Sequence, residues 1–231
     1  MRPIQLYLLY FASIFSCLPT FAQTLQPAKP AARYAYQLYV PASYPKSKAT
    51  YPLIIYLHGG SHRGNDLSRL NQYGPPHAVA QGRQFNCLIA SPQCPEGKYW
   101  STDNWFDSLY IELTTTYRID PKRVYLTGVS MGGYGAWQTA VARPNTFAAI
   151  APLCGGCDDS TQICQIRNVP VWTFHGTADD QVPFDETARL VRRLNACQGK
   201  VRFTKLVSTG HDLLYLYDEK AIYSWLLKHH K

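Results

Sequence analysis

Ser130 stands between glycines in Gly128-Val129-Ser130-Met131-Gly132-Gly133, directly after the apolar run Val124-Tyr125-Leu126-Thr127. A serine hydroxyl is a poor nucleophile unless a base takes its proton and the chain holds it exposed. A strand turning sharply into a helix does the second job, and only small residues at i−2 and i+2 let the chain fold around such a turn. The N–H of Met131, at the start of the following helix, then faces the place where an oxyanion develops. The spacing therefore predicts acyl transfer with Ser130 as nucleophile, Arg123 to Thr127 as its strand and Met131 to Ala142 as its helix.

The acid and base are sought downstream in that order. After a strand expected over Val169 to Phe174 comes His175-Gly176-Thr177-Ala178-Asp179-Asp180-Gln181-Val182-Pro183. A carboxylate in a turn just past a buried strand can hold an imidazole, and Asp179 is assigned that role. Asp180 is the neighbour that could displace it, with Asp158 or Asp159 behind. After a further strand, Val201 to Val207, Ser208-Thr209-Gly210-His211 places a histidine in a loop, and His211 is the expected general base. His58 and His175 each end a strand before a glycine and read as hydrogen-bonded turn residues. His62 and His77 fall in a stretch from Ser61 to Gln84 expected to be surface loop, and His229 and His230 suit a helix C-terminus. No cluster supports a metal, and no cofactor is expected.

These groups need a scaffold. Strand signals at Tyr34 to Val40 (an edge strand), Leu53 to Leu57, Asn86 to Ala90 and Ala148 to Leu153 join those above. Helix signals lie at Asp103 to Tyr117, capped by Asp103 or Ser101, at Phe184 to Ala196 and around Leu214 to His229. The alternation implies an α/β fold, a mostly parallel twisted sheet with helices on both faces, with ligands bound beyond the carboxyl ends of the strands.

The strings Tyr51 to Gly64, Ser91-Pro92-Gln93-Cys94-Pro95, Gly128 to Trp137 and His175-Gly176-x-x-Asp179-x-x-Val182-Pro183 together resemble the α/β-hydrolases. Within them the chain is similar to the serine esterases grouped with feruloyl esterases, polyhydroxybutyrate-depolymerase-like enzymes and small prolyl-oligopeptidase-like hydrolases. The resemblance runs from about Arg33 to the C-terminus. It implies a carboxylic ester hydrolase with Asp179 as acid and His211 as base. It also implies a second oxyanion donor in the N–H of Gly60, after the His58-Gly59 pair. Relatives often carry an aromatic residue shortly after the histidine, where this chain has Leu213 and Leu214. Tyr99-Trp100 and Trp105-Phe106 offer flat walls, so Trp100 and Trp105 are expected in the substrate pocket, suited to a phenolic or sugar ring of a carbohydrate-linked ester. Core packing is the competing role for Trp105 and Phe106.

The 231 residues, 46% of them hydrophobic, are expected to form one catalytic domain over residues 33 to 231. Residues 1 to 22 read as a secretory leader. Arg2 precedes the apolar run Ile4 to Cys17, and Thr20-Phe21-Ala22 offers a cleavage site, with residues 23 to 32 as linker. The apolar run is short for a membrane span. A lipoprotein anchor at Cys17 would want a small residue where Phe15 stands. Secretion or a periplasmic location is expected, with no stable membrane insertion. Cleavage removes Arg2 and leaves 22 basic against 15 acidic residues, +7, scattered along the chain, which does not read as a nucleic-acid surface. It also leaves six cysteines, for which an exported chain predicts disulfides among fifteen connectivities. Cys157 with Cys164 is the easiest local pair, while Cys94 and Cys154 resemble family positions near the active-site rim, and that resemblance implies a bridge bracing the rim as the equal alternative. The partner expected is an ester substrate; oligomeric state is open. Two other classes compete: a small serine peptidase, for which the chain lacks a gating domain, and a non-catalytic polymer-binding protein, which would leave the triad vestigial.

Overall fold

A computed structural model describes residues 26 to 28 and 33 to 231; the leader expected at residues 1 to 22 lies outside the described residues. Among the described residues eight strands form one sheet: β1 (Gln26–Ala28), β2 (Tyr36–Tyr39), β3 (Tyr51–Leu57), β4 (Leu88–Pro92), β5 (Ile119–Val129), β6 (Ala149–Leu153), β7 (Val171–Gly176) and β8 (Val201–Leu206). Their spatial order is β1-β2-β4-β3-β5-β6-β7-β8. The six from β4 to β8 run parallel, and β2 and β1 are added antiparallel at one side. Because β1, inside the stretch expected to be linker, pairs with β2, the strand expected at the sheet edge is an interior one.

The helices are α1 (Gly74–Ala80), α2 (Trp105–Thr116), α3 (Met131–Ala142), α4 (Phe184–Ala196) and α5 (Ala221–Leu226). Side chains alternate across a strand, so each strand feeds both faces. Leu53, Ile55 and Leu57 join Leu109 and Leu113 of α2, Trp137 of α3 and Leu190 and Leu194 of α4 in one core. Ile54 and Tyr56 join Ala78 of α1 and Ile222, Tyr223 and Leu226 of α5 in the other. Both sheet faces are thus covered, which explains why β3, β4 and β6 are buried along their whole length.

Three expectations need correction. The stretch from Ser61 to Gln84 contains α1 and 3₁₀ turns at Gly60–His62 and Leu67–Gln72, and His62 is buried within it. Proline at the first helical positions costs no hydrogen bond, which lets Gly74-Pro75-Pro76 start α1. Neither Asp103 nor Ser101 caps α2: Asn104 occupies the N-cap, while Asp103 accepts from Lys98 at 2.5 Å and the Tyr34 hydroxyl at 2.9 Å. The last helix is divided into a 3₁₀ turn, Leu214–Tyr217, and α5, separated by the charged run Asp218-Glu219-Lys220.

The cysteine pairing also differs. Cys164, in the 3₁₀ turn Ser160–Ile166, is bridged to Cys197 at the C-cap of α4. Cys157 instead packs its sulfur toward the Asp159 carbonyl, and Cys87, Cys94, Cys154 and Cys157 are free and buried.

Candidate active site

Ser130 follows the last residue of β5 and precedes the first of α3, with φ 57° and ψ −119°. A non-glycine residue adopts such a conformation only when its surroundings over-determine it. They do so here through hydrogen bonds on both sides: Ser130 N donates to the Leu153 carbonyl at 3.0 Å, and Tyr134 N to the Ser130 carbonyl at 3.0 Å. The flanking glycines are required by contact. A Cβ on Gly128 would lie 2.3 Å from the Gly132 carbonyl oxygen, and one on Gly132 would lie 2.0 Å from that of Leu57.

His211 and Asp179 leave adjacent parallel strands, and their loops are stitched together. Thr177 N donates to the Leu206 carbonyl at 2.9 Å and Ala178 N to that of Thr209 at 3.0 Å. Gly176 lets the two chains approach, since a Cβ there would meet the Thr209 oxygen at 2.2 Å. As a result His211 Nε2 lies 2.8 Å from Ser130 Oγ, and its Nδ1 lies 2.8 Å and 3.0 Å from the two carboxylate oxygens of Asp179. Because a carboxylate only accepts, Nδ1 carries the hydrogen and Nε2 is free to take the serine proton. The Asp179 side chain is buried, and that by itself would raise its pKa. Hydrogen bonds from Val182 N, His211 and Gln181 N outweigh that effect and hold it below the usual carboxylate value. Asp180 is exposed, and Asp159 caps a 3₁₀ turn.

A second histidine touches the same carboxylate. His175 Nε2 lies 3.0 Å from the Val182 carbonyl and 3.2 Å from Asp179 Oδ2, while Nδ1 lies 2.8 Å from the Thr187 hydroxyl. Burial pulls its pKa down, and the Thr187 hydroxyl in turn donates to the Gly155 carbonyl at 2.5 Å. The sequence implied a hydrogen-bonded turn residue; His175 is hydrogen-bonded as expected but lies within β7, one residue before its end, with an added contact to Asp179.

On the other side, β3 is followed by His58, whose Nδ1 donates to the Gly59 carbonyl at 2.6 Å while Nε2 accepts the Cys94 N–H at 3.0 Å. The Trp100 indole donates to the His58 carbonyl at 3.1 Å. Beyond it, Gln93 Nε2 donates to the His62 carbonyl at 3.0 Å, and Arg69 donates to the carbonyls of Ser61 at 2.6 Å and Arg63 at 3.0 Å. The loop carrying Gly60 is therefore braced by side chains reaching its backbone from two directions.

One cavity includes the serine in its lining, and a second includes the adjacent Met131. The first, of about 270 Å³, is lined by Gly60, Ser61, Tyr73, Ser130, Gln181, His211 and Leu214 among others. The second, of about 400 Å³, is lined by Tyr99, Trp100, Ser101, Met131, Tyr134, Gln138 and Asp158. Gly60, one expected oxyanion donor, lines the first with Ser130, and Met131, the other, lines the second. Trp100 contributes to the larger cavity, but Trp105 is buried in the core, its indole donating to the Trp100 carbonyl at 2.7 Å. The exposed ring beside Trp100 is Tyr99. Tyr134 and Gln138 escaped the sequence reading although a signal existed, since they stand four and eight residues after Ser130 on one helix face. Tyr73 and Gln181 had none, because loop geometry brings them in.

Cys154, Asp179 and His211 present donor atoms within 4.8 Å of one another. Burial pushes the Cys154 thiol up to about 12, and His211 Nδ1 and Asp179 already share a hydrogen. The trio is a hydrogen-bonded pair with a thiol packed behind it.

Residues 102 to 224 match the family model described as phospholipase/carboxylesterase. Among curated relatives, the chain is 35% identical over 141 residues to a bifunctional acetylxylan esterase/xylanase of Neocallimastix patriciarum, covering 58% of this chain and 20% of that protein. It is 28% identical over 175 residues to a probable feruloyl esterase C of Aspergillus terreus, covering 71% and 62%. A solved structure of a thermostable esterase superimposes with a TM-score of 0.72 at 29% identity, over 85% of this chain and 59% of that one. The chain spans between a fifth and under two thirds of the length of these proteins. With the matched segment covering more than half of its residues and an α/β-hydrolase sheet beneath them, the chain belongs to the phospholipase/carboxylesterase family.

Proposed function

We propose that the protein hydrolyses carboxylic esters through an acyl-enzyme on Ser130. The observation that carries this reading is the continuous contact Ser130 Oγ to His211 Nε2 to Asp179, with the serine held in a conformation its surroundings enforce. Ser130 Oγ bonds to the ester carbonyl carbon as its proton passes to His211 Nε2. Asp179 keeps the imidazole in the right tautomer and stabilises the imidazolium. The N–H groups of Gly60 and Met131 receive the oxyanion, and loss of one such donor typically costs ~10²- to 10³-fold in rate. Collapse breaks the carbon–oxygen bond, and the alcohol leaves with the proton from His211. Water then repeats the sequence and releases the acid.

For the substrate, the larger cavity offers the rings of Tyr99, Trp100 and Tyr134 around Met131, the residue after the nucleophile. Flat apolar faces suit a phenolic or sugar ring. Taken with relatives named for acetylxylan and feruloyl esters, this supports feruloyl or acetyl esters of plant polysaccharide as the substrate class. Export is part of the same reading: the leader pattern of residues 1 to 22 and the Cys164–Cys197 disulfide support an oxidising destination.

The test is hydrolysis of short-chain chromogenic esters and of feruloylated and acetylated xylan oligosaccharides. We expect Ser130→Ala and His211→Ala to lose activity to a similar extent, because triad members act as a unit, and Asp179→Asn to retain a measurable residue. Full activity in Ser130→Ala rejects the nucleophile, and a greater loss in Asp180→Asn than in Asp179→Asn rejects the acid.

A further inference from the structure

Arg63 sits on the loop that carries Gly60, and among the described residues no acceptor pairs with its guanidinium. One guanidinium nitrogen comes so near Gly60 that a Cβ there would lie 3.2 Å from it. The guanidinium carbon lies 4.8 Å above the ring of Tyr99, an exposed aromatic residue lining the larger cavity. Arg63 Nε is buried without a hydrogen-bond partner, and among the described residues no carboxylate forms an ion pair with this side chain. The nearby acid Asp103 is occupied by Lys98, Arg33 and Tyr34. The arginine's own backbone is fixed, its carbonyl accepting from Arg69 at 3.0 Å.

A partly desolvated cation without an anion is costly, and its cost is recovered when an anion arrives. The geometry suits one shape in particular. With one face of the guanidinium against Tyr99, its N–H groups radiate in the plane of the fork, which pairs bidentately with a planar carboxylate. Resting on the reading of Ser130 as the nucleophile of an ester hydrolase, we infer that Arg63 binds a carboxylate carried by the substrate. The favoured esters are those whose acyl or alcohol part bears a free acid group, such as a uronic acid.

Two matched pairs of esters test this. On the acyl side, the 4-nitrophenyl monoester of succinate is compared with 4-nitrophenyl butyrate; on the alcohol side, 4-acetoxybenzoate is compared with 4-acetoxybenzamide. In at least one pair kcat/KM should favour the carboxylate, and Arg63→Met should lower that ratio by about tenfold or more, the scale of hydrogen bonds to a charged group. Arg63→Lys, which keeps the charge but loses the fork, should retain part of the preference. Raising the salt concentration on the unmutated protein should weaken the preference in the same direction, which tests the inference even where the variants do not fold. Hydrolysis of both pairs without charge preference overturns the inference and leaves the esterase reading standing, as does an equal loss on both members in Arg63→Met. Hydrolysis of no ester overturns the esterase reading and this inference with it.

Discussion

His58 shows how a single ring is committed to one protonation state by what surrounds it. Its Nε2 accepts the Cys94 N–H, so a proton there would confront another hydrogen, and burial pulls its pKa from 6.5 to about 4. In the unfolded chain the ring takes up a proton near its ordinary value, which the folded state refuses. Stability should therefore be complete above the unfolded value and fall as pH drops from about 6.5 toward about 4, by at most ~3 kcal/mol from this residue. His62 and His175, also lowered by burial, add to the loss with the same sign. Denaturant unfolding of the unmutated protein and of His58→Gln at pH 7 and pH 5 checks this; an equally steep pH dependence in the variant would contradict it. Asp179 behaves differently. Its depressed pKa means that its contribution persists above the ordinary carboxylate value and is lost only as pH falls through the lower folded one.

At the scale of elements, the close approaches matter more than the helices themselves. The Gly132 Cα packs against the end of β3, and the 2.0 Å contact that a methyl would make is with backbone, which cannot swing aside. We expect Gly132→Ala to be destabilised by several kcal/mol, or not to accumulate as folded protein, whereas Gly97→Ala, with open space at its Cβ, should cost only the strain of its positive φ. Equal melting temperatures in the two variants would remove this explanation. The same contacts explain what was legible in the sequence. α3 and α4 run over the residues expected, because Ser130 marks one start, Pro183 another, and α4 buries Thr187, Leu190, Val191 and Leu194 at helical spacing. α1 was hidden behind glycine and prolines, and Trp105 was misplaced because an aromatic cluster in sequence does not reveal which ring faces the core. Ser130, Asp179 and His211 could be ordered along the chain from motifs alone; the 2.8 Å contacts depend on the pairing of β7 with β8 and on loops whose hydrogen bonds no local pattern encodes.

For the whole molecule, the Cys164–Cys197 disulfide ties the outer helix α4 to the turn after β6. Closing a loop of 33 residues stabilises by ~3 to 4 kcal/mol in the chain-entropy account. Cys197→Ser should lower the melting temperature measurably. Thiol titration of mature protein beginning at Gln23 should find little reaction in the native state and four thiols after denaturation without reductant. Six would contradict the disulfide, and an N-terminus that retains residues 1 to 22 would contradict export.

The central claim is that this fold makes one hydroxyl nucleophilic, and a fluorophosphonate reagent reads that property without knowledge of the substrate. Native protein treated with it should gain the mass of one adduct. Peptide mapping should place the adduct on Ser130, with none formed in Ser130→Ala and slow formation in His211→Ala. An adduct on another residue, or labelling undiminished in Ser130→Ala, would contradict the account.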